Sequence, residues 1–460
     1  MSTVKEITII GRNIQFSLLA VKAAAMGINV NMMLENNKEL FADNEPFMLF
    51  NQELTVGLIR HFKQKRNIKF LKKIAPHLLL SSQVEQFLSL SLYMRILISL
   101  NNIFSTQKIN IIRSKEHKGI YCLSYASYKL STARLSIELL KSINESNLKI
   151  KHYDKLYAVN WINRQGYELE FINEENNKRK ILTKSILTDD INLKLNKKHR
   201  DFEYVYIFTY PLEKLKIDSN ILIEAGETIV KIIIWFEWVY FEIKGPLSQD
   251  FELKRFTEFL KMYLPRIEIK AEEIAFKNYL KKNIPQSHNF KNILLYLVDN
   301  KSHKLNSGCI NSWQKRSQKI IHKLLKHLGI INATNIEWKN PQITGSNFQF
   351  PYHPVRIMEY CDEKYDEAKQ ILKSPQYFKK LFYRYGTQIE EITNLAFEYW
   401  NQTKNIKKAW LLAEIHFAIK NEYCTSPVEF IYSRTEEWMV GENGNTEIIK
   451  NAFADLLKEG

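Results

Sequence analysis

Ile7-Thr8-Ile9-Ile10-Gly11-Arg12-Asn13-Ile14-Gln15-Phe16 decides how the first part of this chain is read. A short apolar strand (Ile7, Ile9, Ile10) runs into Gly11, and a helical stretch follows over Ser17 to Met26. After Gly27 a second strand is expected over Ile28 to Leu34. This is the opening β-α-β of a Rossmann-type domain, whose first turn normally reads G-x-G-x-x-G. Here the turn reads Gly11-x-Asn13-x-x-Phe16. The second glycine of that pattern lets the backbone approach a pyrophosphate, and the third lets helix and strand pack closely. Asn13 places a side chain where the phosphate would lie, and Phe16 is bulky at the packing contact. The unit reads as a nucleotide-binding fold with degenerate nucleotide contacts.

Composition points the same way. The chain has 14 Gly in 460 residues, well under the usual level of about 7%, where a flavin or nicotinamide enzyme carries several glycine-rich turns. With 45% hydrophobic residues it can bury a large core, and its length suggests two or three domains. Cys122, Cys309, Cys361 and Cys424 lie far apart, with no C-x-x-C pair and no metal-ligand spacing, so they read as reduced thiols of a cytosolic protein. No signal peptide is expected before the first strand. The most apolar stretch, Ile229 to Ile243, is interrupted by Lys231, Glu237 and Glu242 and is shorter than the ~20 residues of a spanning helix. Its β-branched and aromatic residues instead predict two buried strands with a turn near Glu237.

The net charge is +16. Basic clusters occur at Arg60 to Lys73, Lys194 to Arg200 and Lys315 to Lys326, but lysines are spread along the whole chain. No nucleic-acid motif accompanies them, which argues against a nucleic-acid partner. Contact with an anionic membrane surface fits the charge better. His77, His288, His303 and His416 fall in different elements, and no metal site is expected. Cys309 with His303 nearby lacks an orienting acid for a nucleophile pair.

Four scaffold segments stand out in order. Arg66 to Leu78 ends in Ala75-Pro76-His77-Leu78, and Ala133-Arg134-Leu135 starts a helix. Tyr385-Gly386-Thr387 follows, and then Ala413-Glu414 through Glu422 and Thr425 to Arg434-Thr435. These segments resemble the FAD-dependent, quinone-linked glycerol-3-phosphate dehydrogenases, and the resemblance runs nearly end to end. It implies an α/β fold: a Rossmann-type FAD-binding-like domain, a mixed β-sheet substrate domain and a C-terminal all-α domain. The expected divisions are 1–200 with part of 290–330 for the FAD-binding-like domain and 201–290 for the substrate cap. A linker is expected at 331–355 and the helical domain at 356–460.

The resemblance also implies FAD as cofactor, glycerol 3-phosphate as substrate, and a cytoplasmic protein, peripheral on the inner face of the plasma membrane. Carried over position by position, the family's site residues depart. The cofactor contacts reduce to Gly11, Asn13, Glu35 and Gly308, because the ribose-binding acid falls at Leu34 with Glu35 one place late. The family's glycine- and arginine-bearing stretch falls on Asn36 to Asn51, which has neither residue. Its later Asn-Ala-Thr-Gly turn falls on Leu187-Thr188-Asp189-Asp190, where two carboxylates would repel a pyrophosphate.

On the substrate side, Trp235 matches the tryptophan of a Pro-Trp strand. The family's active-site lysine becomes Cys309, with Asn311 and Ser312 nearby. The phosphate-binding arginine becomes Leu280, with Lys281 and Lys282 beside it and Lys244 a weaker candidate cation. Two classes follow: a divergent dehydrogenase with lost or weakened catalysis, or a non-catalytic module that retains the fold.

Overall fold

The computed structural model describes residues 6–11, 14–35, 46–49, 67–90, 95–96, 98–99, 102–103, 108–113, 120–143, 148–153, 155–162, 166–172, 177–183, 185–188, 201–249, 251–284, 292–296, 302–306, 313–327, 343–350, 353–443 and 445–459. It is a mixed α/β fold with a C-terminal helical region. The expected β-α-β is present as β1 (Glu6–Ile10), α1 (Ile14–Ala25) and β2 (Asn29–Glu35). Strands β1 and β2 pair in parallel, Ile7 opposite Val30 and Ile9 opposite Met32. Parallel neighbours need a crossover, which α1 supplies.

Strand Leu148–Tyr153 extends this sheet beyond β2, also in parallel. On the other side β1 pairs in parallel with Ile186–Thr188, followed by the antiparallel hairpin Asn292–Tyr296 and Ser302–Asn306. Helices Thr132–Lys141 and Trp313–His327 pack beside α1, and together they bury one core with Leu19, Leu139 and Leu324 fully enclosed. A separate antiparallel sheet of three strands, Lys155–Ile162, Gly166–Ile172 and Lys178–Thr183, stands beside it.

The largest sheet has nine strands and draws on sequence from both sides of residue 200. Its order is Phe276–Ile284, Asp201–Pro211, Trp238–Lys244, Thr228–Trp235, Asn220–Ala225, Leu80–Ser89, Ile120–Ser131 and Phe47–Leu49, with Asn110–Arg113 also on Ile120–Ser131. The two strands read from Ile229 to Ile243 form a hairpin there, with Trp235 opposite Trp238. Alternate residues of a strand face opposite sides. Phe208, Phe241 and Val230 accordingly pack with helix Leu253–Lys261 on one face, whereas Val205, Ile207, Trp235 and Tyr240 pack with Trp438 and Met439 on the other.

The C-terminal helices are Pro354–Ala368, Pro375–Tyr385, Ile389–Thr403, Ile406–Asn421 and Thr446–Glu459. Side chains cap two of their starts. The Ser374 hydroxyl accepts from the Tyr377 N–H at 3.3 Å, and Asn405 accepts from the Lys408 N–H at 3.1 Å. The helix that opens at Pro427 is short, spanning Pro427–Glu429. Ser426 caps it and Pro427 opens it, but after Glu429 the backbone widens into a π-turn over Phe430–Arg434. The physical reason lies in what the turn aims inward, as described below.

Candidate functional site

At the dinucleotide corner, β1 ends on Gly11, whose φ of 129° suits glycine and whose N–H donates to the Met33 carbonyl at 3.2 Å. Asn13 lies outside the described residues. Phe16, at the third glycine's position, is fully buried inside the core of α1 and the sheet. The ring is absorbed as core volume, which replaces the close helix–strand contact a glycine would give. A crevice lies beside the start of α1. Ile14, Ser17, Leu34, Thr132, Glu422 and Arg434 are among its lining residues. Leu34, the expected ribose position, presents an apolar side chain to it.

FAD, the cofactor implied by the resemblance, can be tested against these residues. Gly11 and the N-terminus of α1 fit an anionic pyrophosphate. The buried Phe16 ring and the apolar Leu34 wall do not fit the family's hold on a dinucleotide. Glu35 ends β2 opposite Tyr153, one residue beyond the ribose position. Asp189, Asp190, Gly308, Cys309, Asn311 and Ser312 lie outside the described residues, as does Asn36 to Asp43. Taken together, the described residues do not make the family's flavin site.

The candidate phosphate cations are separated. Lys281 and Lys282 pair with Tyr204 and Glu203 on strand Phe276–Ile284, at one end of the large sheet, and Leu280 pairs with Val205. Lys244 is engaged elsewhere: its ammonium lies 2.8 Å from Glu242, which also takes Lys231 at 3.2 Å and the Tyr240 hydroxyl at 3.0 Å. This group of two lysines on one buried carboxylate was missed by sequence reasoning, which treated Lys231 and Glu242 only as interruptions of an apolar run. The available signal was the hairpin register that sets Lys231 opposite Glu242. His303 pairs with Leu295 in its hairpin, and His416 meets the Tyr399 hydroxyl at 2.8 Å. Among the described residues no cluster of His, Cys, Asp and Glu could hold a metal ion.

The scaffold segments, in contrast, converge on one buried ionic clasp. Arg134, at the start of helix Thr132–Lys141, grips Glu422 with both terminal nitrogens at 2.9 Å and reaches Glu138 at 2.8 Å. It also donates to the Arg384 carbonyl at 2.9 Å and lies 4.7 Å from the Tyr385 ring centre. Lys141 adds contacts to Glu138 at 2.9 Å and Glu422 at 3.3 Å. Arg384 bonds Glu414 and, at 2.5 Å, Glu436, while the Tyr385 hydroxyl donates to Glu414 at 2.9 Å. The π-turn delivers Arg434 to Glu429 at 3.0 Å and to the Glu422 carbonyl at 2.6 Å. An ordinary helix through these residues would aim Arg434 elsewhere, because each π-turn residue advances less around the axis than an α-helical one.

Burial alone would raise the Glu422 carboxyl, but Arg134 and Lys141 override it and hold the group at about 2. Beside the clasp, His77 is fully buried, with Nδ1 3.1 Å from the Ser346 hydroxyl. Burial, followed by the nearby Arg134 and Lys141 charges, pushes His77 down to about 3, so it is neutral. Gly386 has a φ of 58°, and a Cβ there would lie 1.8 Å from the Gly345 carbonyl oxygen and 2.9 Å from His77. That close approach explains the glycine of Tyr385-Gly386-Thr387.

No family model matches the chain, and no curated protein sequence matches it. Solved structures do. The glycerol-3-phosphate dehydrogenase from Bacillus halodurans complexed with FAD aligns over 99% of this chain and 95% of its own, with a TM-score of 0.69 and 12% identity. Iminodiacetate oxidase from Chelativorans sp. BNC1 aligns over 73% of this chain and 98% of its own, with a TM-score of 0.48 and 10% identity. The amino acid oxidase NikD aligns over 76% of this chain and all of its own, with a TM-score of 0.49 and 8% identity. The fold is that of the FAD-dependent oxidoreductases.

Proposed function

We propose that this protein is a divergent relative of the FAD-dependent glycerol-3-phosphate dehydrogenases in which catalysis is lost or weakened. The activity at issue is oxidation of sn-glycerol 3-phosphate to dihydroxyacetone phosphate, with electrons passing to quinone or oxygen. The observation that carries the reading is a contrast. The positions that match the family build the buried clasp of Arg134, Tyr385, Glu414, Glu422 and Arg434, whereas Phe16 and Leu34 stand where the family has its packing glycine and its ribose-binding acid. On this reading 1–200 with part of 290–330 is the FAD-binding-like domain. Residues 201–290 form a cap whose sheet also takes strands from 47–131, 331–355 is the linker and 356–460 the helical domain. Dye-linked turnover of glycerol 3-phosphate, with FAD added in excess, tests it. Turnover at the no-protein rate is expected, and robust turnover would overturn the loss of catalysis.

A peripheral membrane contact, with the protein on the cytoplasmic face, has an observation of its own. Ile96, Ile103, Ile111 and Ile112 are exposed at 51%, 71%, 37% and 58%, beside the exposed cations Arg95 and Lys108. Exposed apolar side chains with cations next to them in sequence suit an anionic bilayer surface. No described helix is long and apolar enough to cross a membrane. Co-sedimentation with phosphatidylserine vesicles, reduced in the double variant Ile103→Ser with Ile112→Ser, is expected. Equal sedimentation of both proteins would refute this contact.

A further inference from the structure

A second cavity lies where the segment 67–78 meets the loop 343–350 and helix Pro354–Ala368. Its volume is about 260 Å³. Small-molecule pockets begin near about 300 Å³, so this one suits a single ring with its head group. Phe348 and Phe350 form its aromatic wall, their ring centres 5.5 Å apart, and Pro76 and Ile357 add buried apolar surface. Lys72 and the exposed Lys73 line it as well. Both lysines belong to the basic cluster Arg60 to Lys73, for which the proposed function has no use. None of these residues is a cofactor or substrate position carried over from the family.

The other polar group lining the cavity is the Ser346 hydroxyl, and the direction of its proton follows from its neighbour. His77 is fully buried and neutral, with Nδ1 3.1 Å from that hydroxyl. Its Nε2 has no hydrogen-bond partner among the described residues. Buried donors are left without a partner more rarely than buried acceptors, so the imidazole proton belongs on Nδ1, donated to Ser346. The Ser346 O–H is then left to donate into the cavity. The loop is pinned in this pose: the Ser346 N–H donates to the Ile343 carbonyl at 3.0 Å, and the Thr387 hydroxyl to the Thr344 carbonyl at 3.1 Å. A Cβ on Gly345 would lie 3.2 Å from His77 Nε2 and 2.7 Å from the Tyr385 carbonyl oxygen, so the close approach needs glycine. A structural role explains the rings, since Phe348 packs against Tyr360 and Phe382. It does not explain why the polar lining, two ammoniums and one hydroxyl hydrogen, offers donors and, among the described residues, no carboxylate.

We propose that this cavity binds a small aromatic anion, its carboxylate or phosphate head held by Lys73 and the Ser346 hydroxyl and its ring laid against Phe348 and Phe350. Lys72, whose ammonium stands 4.6 Å from the Tyr128 ring centre, adds positive charge beside the head. Hydrogen bonds to a charged group are the stronger kind, and ring against ring adds to the apolar contact. The site needs no flavin and uses no position of the dehydrogenase reading, so either can fail without the other.

The test titrates the full chain into 4-fluorobenzoate and into 4-fluorophenyl phosphate and reads the ¹⁹F line width of each. The two arms separate a carboxylate ligand from a phosphate one, and 4-fluorobenzyl alcohol supplies the same ring without the charge. At least one of the two anions is expected to broaden saturably, with the alcohol bound about tenfold more weakly or worse. For that anion, Lys73→Met and Ser346→Ala should each raise Kd about threefold or more. Lys73 is exposed, so its variant is expected to fold and keeps the test decisive by itself. No saturable broadening by either anion, equal binding of the alcohol, or an unchanged Kd in Lys73→Met would overturn the proposal.

Discussion

The dinucleotide corner and the ionic clasp are neighbours, since Glu422 and Arg434 line the same crevice as Ile14 and Leu34, yet they have opposite chemistry. At the corner, Phe16 and Leu34 stand where the dinucleotide turn pattern has a glycine and an acid, and Phe16 is absorbed into the core. At the clasp, charged side chains are buried almost completely and are partnered by one another. The difference shows that resemblance to a catalytic family can be carried by the residues that hold its domains together. Such residues say how the chain is folded and nothing about what it turns over.

The sharpest way to break this comparison is to remove one member of the clasp. Arg134→Met leaves Glu422 and Glu138 buried without their main partner, which typically costs about 3–5 kcal/mol. Chemical denaturation should show that loss. A change within about 0.5 kcal/mol would mean that the clasp does not hold the helical region to the rest.

Restoring a glycine at the corner should also harm the protein. Phe16→Gly empties core volume, and large aromatic truncations cost about 3–5 kcal/mol. Nucleotide binding should not appear in return. Unchanged stability with new FAD binding would show that the turn is still a working cradle blocked by one ring.

The pH dependence sharpens the comparison on the clasp side. His77 is pushed down to about 3 when folded, whereas an unfolded histidine titrates near 6.5 (about). The unfolded chain then binds more protons between those values, so stability falls as pH drops from about 6.5 towards 3. One group gives a slope of up to about 1.4 kcal/mol per pH unit. Glu422, held at about 2, adds to the loss once pH falls below the ordinary carboxylate range. Urea midpoints at pH 7.5, 6.0 and 5.0 should therefore decline less steeply in His77→Asn than in the unmodified protein. Equal slopes would mean that His77 takes up its proton without cost when folded.

Much of the fold was legible because its signals are local. The run into Gly11 and the β-branched, aromatic stretch over Ile229 to Ile243 each specify an element from a few adjacent residues. The π-turn was not legible, because its cause is a contact between Arg434 and residues of other elements. The same holds for the large sheet, in which Leu80–Ser89 pairs with Asn220–Ala225 across a long stretch of sequence. At the site, Gly11, Phe16 and Leu34 were readable from motif spacing. The Lys231, Glu242 and Lys244 group was not, since strand register brings it together.

The most direct measurement is the flavin content of the purified protein, read as absorption at roughly 450 nm and as flavin released on denaturation. A colourless protein that folds cooperatively and takes up no FAD on incubation is the expected result. Stoichiometric FAD that co-purifies with the chain would contradict the reading of Phe16 and Leu34 as the end of its nucleotide site.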